Sequence, residues 1–313
     1  MKGTSLKPPS TEQRNPRSRG LDQRPTGEII RIINREDAKV AAAVRRELPA
    51  IARAADAIVF ALSRGGRLLY VGAGTSGRLA MLDAAECPPT FGVSPRLVSA
   101  VIAGGRHALV SAVEGAEDSA AQGARDVSAQ RISRRDVVVG LTASGATPYV
   151  LGALRLSKHR GALTVGVTSN RHSPIARLAS ILIAPQTGPE IIAGSTRMKA
   201  GTAQKMVLNL LSTAAMVRLG HAYDHWMVDV ALTNRKLRRR GLRILEEATG
   251  ATAPEAERAL DAARGNLRVA LVMLKTNCTA IAARRELQHA GGHLRRALGE
   301  TKASGARTLG KKK

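Results

Sequence analysis

Between Gly66 and about Ala184 the chain alternates short β-branched or aliphatic runs with segments of helix length. The runs are Leu68–Val71, Leu97–Ile102, Val137–Leu141, Leu163–Val167 and Ile181–Ile183. Strands alternating with helices at this spacing build βαβ units, and the parallel sheet they form must be covered on both faces. Each crossover is expected to be right-handed. The expected core is therefore an α/β sandwich on five parallel strands, with Pro185 marking the exit from the last.

The flanking segments read differently. Residues 1–26 hold four Pro and six Lys or Arg with few apolar residues, the signature of an extended, mobile basic arm. From Gly27 to Leu62 the apolar residues Ile29, Ile30, Ile33, Val40, Ala43, Val44, Leu48 and Ile51 recur at helical spacing. A long helix is predicted over Ser195–Leu219 and another over Met227–Lys236. Thr252-Ala253-Pro254-Glu255 has capping-box spacing with Pro in the first turn, a strong helix start. Gly265-Asn266 closes that helix, and Leu267–Lys275 and Thr279–Ala290 supply two more. The expected organisation is a basic arm (1–26), an α/β domain (27–245), a small three-helix domain (246–300) and a basic tail (301–313).

A length of 313 residues suits about two domains. Forty-nine Lys and Arg against 24 Asp and Glu leave a formal charge of +25, a field that attracts anions: nucleic acid, an acidic membrane surface or a phosphorylated substrate. Only six residues are aromatic, which argues against a base-stacking platform. Cys87 and Cys278 are too few for a disulfide framework or a zinc site and suit a reducing cytosol. Residues 1–30 lack the apolar core of a signal peptide. The apolar stretch Met206–Val217 is interrupted and too short to cross a bilayer. A soluble cytosolic protein is expected.

Three loops carry the candidate chemistry. Strand Leu68–Val71 runs into Gly72-Ala73-Gly74-Thr75-Ser76-Gly77-Arg78, which satisfies G-x-G-x-x-G in strand–turn–helix context. A dinucleotide site also needs an acid about 20 residues on, yet no Asp or Glu occurs between Cys87 and Val113. What survives is a hydroxyl-bearing turn at a helix N-terminus, suited to an anionic or hydroxylated ligand, or a tight turn capped by Thr75 or Ser76. The third strand ends in Thr142-Ala143-Ser144-Gly145-Ala146-Thr147-Pro148, where main-chain N–H groups, Ser144, Thr147 and the helix dipole suit a phosphate; simple capping is the plainer reading. The third cluster joins Gly188-Pro189-Glu190 to Ser195, Thr196 and Lys199 at the head of a long helix. Two loops at the ends of neighbouring strands sit where open α/β sheets bind ligands. Glu86, Glu114, Glu117 and Asp118 add carboxylates that can exchange protons. Cys87, with no oriented base beside it, reads as a small buried residue.

The string from Val71 to Arg78 through Glu86-Cys87-Pro88-Pro89-Thr90-Phe91-Gly92 resembles the N-acetylmuramic acid 6-phosphate etherases. So do Ile102–Gly105, Val113–Asp118, Ala143–Val150, Gly194–Lys205, Met227–Val230, Asn234–Leu237, and Thr11-Glu12 with Arg14-Asn15-Pro16. The resemblance spans roughly residues 11–297 in order. It implies a sugar isomerase (SIS) domain, a flavodoxin-like α/β/α sandwich, followed by a small helical domain. It further implies a cytosolic homodimer acting on a phosphorylated amino sugar in cell-wall recycling, with no metal or organic cofactor. The family's two active-site glutamates fall on Glu86, expected to protonate the departing ether oxygen, and Glu117, expected to be the second acid/base. Substrate contacts are expected from Gly74, Thr75, Ser76, Ser144, Gly145, Thr147, Ser195, Thr196 and Lys199.

Two departures stand out: Ala146 where the family has Arg, and Asp224-His225-Trp226 in place of Gly-Asn-Leu. The basic run Arg235–Arg240 is not a family signature and reads as a solvated helix face, so neither nucleic acid nor a membrane is expected as a partner. The competing readings are an aldose–ketose sugar-phosphate isomerase and a non-catalytic regulator similar to glucokinase regulatory protein. Retention of both Glu86 and Glu117 separates an enzyme from the pure regulator.

Overall fold

A computed structural model describes residues 10–230, 232 and 234–300. Contacts cluster into two compact units, one comprising the residues to Pro88 with Val93–Met216, the other Pro89–Gly92 with the residues from Val217 onward.

The first unit opens with helices α1 (Thr26–Asp37), α2 (Val40–Arg45) and α3 (Leu48–Leu62). Five strands follow, β1 (Leu68–Gly72), β2 (Val98–Ile102), β3 (Val137–Leu141), β4 (Leu163–Val167) and β5 (Ile181–Ile183), each within a residue of its predicted run. Between them lie α4 (Gly74–Phe91), α5 (Ala120–Ala129), α6 (Pro148–His159) and α7 (Ile175–Leu178), and α8 (Lys199–Arg218) comes after. The strands pair in parallel in the order β2-β1-β3-β4-β5, with Gly72 opposite both Ile102 and Leu141. All residues of β1 and β3 are buried, as aliphatic runs covered on both faces must be. The direction of winding reverses between β1 and β3. That is the switch point at which ligands of open α/β sheets bind, beyond the strands' carboxyl ends.

The second unit holds the hairpin strands β6 (Ala222–Tyr223) and β7 (Trp226–Met227) and helices α9 (Arg235–Thr249), α10 (Ala253–Ala262), α11 (Leu267–Thr276), α12 (Ala280–His289) and α13 (Leu294–Ala297). The three expected helices are α10, α11 and α12, and the predicted capping box at α10 is made in both directions by Thr252 and Glu255.

Three expectations on chain organisation are corrected. Residues 10–26 are no free arm: they form three short 3-10 turns, and Thr11 and Asn15 are buried. Asn15 donates to Glu36 of α1 and to the Pro189 carbonyl, anchoring the segment across the fold. Residues 1–9 and the tail 301–313 lie outside the described residues. Of the helix predicted over Met227–Lys236, only Arg235 and Lys236 are helical, as the start of α9; Met227 ends the second hairpin strand, and Val228, Asp229 and Val230 are in neither helix nor strand. Asp224 takes a left-handed φ of 52°, Tyr223 stacks on Trp226 at 6.2 Å, and Val228 and Val230 are buried with the two-residue spacing of extended chain. The domain boundary falls at Met216/Val217, earlier than residue 245, because Leu237, Leu242, Ile244 and Leu245 of α9 pack into the second unit's core with Leu260 and Leu271.

Candidate functional site

The Gly-rich turn after β1 exists because two glycines let helix and strand touch. A Cβ on Gly72 would lie 2.6 Å from the Gly77 nitrogen, and one on Gly77 would lie 2.4 Å from Ile102. The close approach brings the start of α4 onto the end of β1 and exposes Gly74 at a positive φ of 52°. Ser76 is turned inward and donates its hydroxyl to Gln204 of α8 at 2.8 Å, so it serves packing rather than the surface of the turn. Thr75 is half-buried and faces α8: a Cβ on Gly201 would lie 3.4 Å from both its methyl group and the Thr196 carbonyl. The first and third sequence clusters therefore meet at this corner.

Beside the turn is a cavity of about 210 Å³ lined by Gly74, Arg78, Glu114, Gly115 and Glu117, among others. Arg78 builds its wall. Its guanidinium donates to the carbonyls of Ala108 at 3.0 Å and Ser111 at 3.1 Å, pinning the loop that follows β2. Arg78 stands immediately after the last glycine of the motif, and that position is the local signal of its role in the wall. Glu117 is exposed in a short 3-10 turn that follows Gly115, a residue at φ 70°. Its carboxylate has no hydrogen-bond partner among the described residues.

The loop after β3 is held in shape by its own hydroxyls. Thr142 Oγ1 lies 2.8 Å from Thr147 Oγ1 and 3.3 Å from Ser144 Oγ, and accepts from the Gly145 N–H. Gly145 has φ 74°, and a Cβ there would fall 1.8 Å from Ser173 Oγ, so only glycine fits. The loop opens onto the N-terminus of α6, whose first residue is Pro148. The Ser144 and Thr147 hydroxyls and the positive end of the helix dipole suit a phosphate there.

The third cluster is split. The predicted helix over Ser195–Leu219 starts only at Lys199, because the buried carboxylate of Glu190 accepts from the main-chain N–H groups of Lys199 and Ala200 at 3.0 and 2.9 Å and fixes the first turn there. Burial pushes the Glu190 carboxyl above its ordinary value in spite of those bonds. Ser195 and Thr196 lie in the preceding loop, half-buried. Lys199 is 1% exposed and its ammonium donates to Glu36 at 2.8 Å. It lines a different cavity, with Asn15, Arg17, Lys39 and Thr187, and does not reach the Gly74 corner. Burial alone would raise the Glu36 carboxyl, but bonds from Lys199, Lys39, Arg17 and Asn15 outweigh it and hold the group well below the carboxylate range.

Glu86 is exposed on α4, twelve residues beyond Gly74. At 1.5 Å per residue that is about 18 Å along the axis, so one chain does not bring Glu86 and Glu117 to a common point. One turn earlier, Asp83 accepts from Tyr70 and Ser212 and is raised by burial. Burial, followed by the charges of Asp83 and Glu86, pushes the Cys87 thiol up to about 12, which excludes a thiolate nucleophile at neutral pH.

Comparison with known proteins decides the family. An N-acetylmuramic acid 6-phosphate etherase of Geobacillus thermodenitrificans is 50% identical over 86% of this chain and 91% of its own length. One of Symbiobacterium thermophilum is 55% identical over 84% of the chain and 88% of its own. The chain belongs to the N-acetylmuramic acid 6-phosphate etherase family. Within it, residues 112–214 match the SIS domain, and residues 50–158 match the glucokinase regulatory protein N-terminal SIS domain. A solved phosphoheptose isomerase from Francisella tularensis overlaps 63% of this chain and 98% of its own with a TM-score of 0.48 at 21% identity. Among the described residues of this etherase-family member, no helix is long and apolar enough to cross a membrane.

Proposed function

We propose that the chain is a cytosolic N-acetylmuramic acid 6-phosphate etherase, a carbon–oxygen lyase that eliminates D-lactate and leaves N-acetylglucosamine 6-phosphate. The observation that carries this reading is 50% identity to an etherase over 86% of the chain. The 6-phosphate is assigned to the Ser144–Thr147 loop at the head of α6 and the sugar to the Gly74 corner. With the ring open, the C1 aldehyde acidifies the C2 proton. A carboxylate removes that proton, the C3–O bond breaks as the lactate oxygen is protonated, and an unsaturated aldehyde forms. Water then adds at C3 and the proton returns to C2. Each acid or base step is worth about 10²–10⁴-fold, and phosphate binding away from the reacting carbons orients them.

Glu117, beside Gly74, is assigned to one proton transfer. Glu86 lies too far along α4 to share that cavity in the same chain, so the second carboxylate is assigned to another copy in a homodimer. The surface around it supports this. Leu82, one turn from Glu86, is 49% exposed, and Leu210 on the neighbouring α8 is 37% exposed. Apolar side chains flanking a functional carboxylate suit a covered interface.

The test is D-lactate release from N-acetylmuramic acid 6-phosphate, run in heavy-oxygen water and in deuterated water. One heavy oxygen on the aminosugar, none on lactate, and one carbon-bound deuterium at C2 are expected. Heavy oxygen in lactate would refute elimination, and absence of lactate would refute the etherase reading. Mixing inactive Glu86→Gln with inactive Glu117→Gln should restore activity through mixed dimers. No recovery after subunit exchange would refute sharing between copies.

A further inference from the structure

The charge of +25 is about as large as all the acidic residues together, 24, and a small phosphorylated sugar does not account for it. The structure concentrates part of it on one face. Helix α9 carries six cations, and five of them, Arg235, Lys236, Arg239, Arg240 and Arg243, are exposed. Their spacing of three, four and seven residues places them along a single side of the helix. Among the described residues none of the five forms an ion pair. The sixth, Arg238, turns the other way and is paired with Asp261 and Glu257. No acid occurs on α9 before Glu246, and the helix N-terminus carries no acidic first turn.

Such a face has a cost. Like charges one turn apart repel and weaken the helix, and five unpaired cations contribute nothing to packing. We propose that the outer face of α9 binds the phosphate backbone of double-stranded nucleic acid, independently of base sequence. The nine residues from Arg235 to Arg243 span about 12 Å of helix axis. A duplex presents about seven phosphates over the same length, at one per 1.7 Å. Five cations match that density. Four of the five are Arg, whose planar fork suits phosphate oxygens better than Lys does.

Two other polyanions fit less well. An acidic membrane recruits a basic helix that can also insert an apolar side, but the apolar side of α9, with Leu237, Leu242, Ile244 and Leu245, is committed to the core of its own unit. A single strand is held by aromatic stacking as well as charge, and α9 has no aromatic residue.

The experiment uses the full-length protein and a fluorescein-labelled 25-base-pair duplex of arbitrary sequence, with anisotropy titrations at several salt concentrations. The variant Arg239→Ala/Arg240→Ala/Arg243→Ala is compared with a control that removes the same charge elsewhere, Arg31→Ala/Arg53→Ala/Arg134→Ala. Losing three phosphate contacts should lower the slope of log affinity against log salt by about 2.7 and weaken binding at least about tenfold at 0.1 M salt. The control should change affinity less than about threefold, and both variants should keep the far-ultraviolet spectrum and catalytic activity of the parent. Equal losses in the two variants would show a diffuse charge effect and overturn the assignment to α9. Absence of binding to the duplex, or tighter binding to phosphatidylserine vesicles than to the duplex, would overturn it as well.

Discussion

Glu36 and Lys199 are 163 positions apart, and both are almost wholly buried. Replacing Glu36 with Leu leaves the Lys199 ammonium in a low-dielectric site without its partner. Breaking a buried pair from one side costs about 3–5 kcal/mol, whereas replacing both members by apolar residues of similar volume is often neutral or stabilising. The surroundings sharpen the forecast. Asn15 keeps its bond to the Pro189 carbonyl when Glu36 is lost, and Arg17 and Lys39 are exposed enough to be solvated instead. Glu36→Leu and Lys199→Met should therefore each cost about 3–5 kcal/mol alone, while the double variant should cost no more than about 2 kcal/mol. Urea unfolding followed by circular dichroism measures the cycle. The acid limb supplies a second readout. The folded Glu36 carboxyl is held well below its ordinary value of 4.5, so its contribution is complete above that pH and is lost as pH falls beneath it. The parent should lose this increment on acidification and the double variant should not. Additive costs in the cycle, or identical acid limbs, would refute the account of a mutually dependent buried pair.

Gly145→Ala, which sets a Cβ 1.8 Å from Ser173 Oγ, should weaken N-acetylglucosamine 6-phosphate by at least about tenfold, since one lost charge-assisted bond is worth about 1.5–3 kcal/mol. Calorimetry should find the unphosphorylated sugar little affected. With its thiol pushed up to about 12, Cys87 should resist thiol reagents at pH 8 in the folded protein; rapid reaction of both cysteines would contradict its burial. Deletion through residue 24 removes the Asn15 and Arg17 bonds to Glu36 and should lower stability by about 2 kcal/mol or more, at roughly 1.5–3 kcal/mol per bond to a charged group. Deletion of residues 1–8 alone should leave activity within about twofold, because screened terminal charges act over only about 8 Å.

What could be read in the sequence was whatever a short window encodes. Aliphatic runs located all five strands, most plainly β1 and β3, because a strand covered on both faces has no polar position to interrupt it. The Thr252–Glu255 box and the glycines of the first loop declared themselves through local geometry. The family resemblance pointed to Glu86 and Glu117. Partners chosen across the fold left no local trace. Residues 10–26 look like a free arm until Asn15 meets Glu36 and Pro189, and Lys199 looks like a ligand until Glu36 takes its charge. Ser76 looks like a surface cap until Gln204, 128 positions away, takes its hydrogen bond. The segment from Met227 to Val230 reads as helical from its apolar residues, and the Tyr223–Trp226 hairpin, packed on its own core, ends the strand there instead. Propensity and periodicity act over a turn or two of chain, whereas desolvation rewards a charge or hydroxyl only for the partner that the completed fold sets beside it.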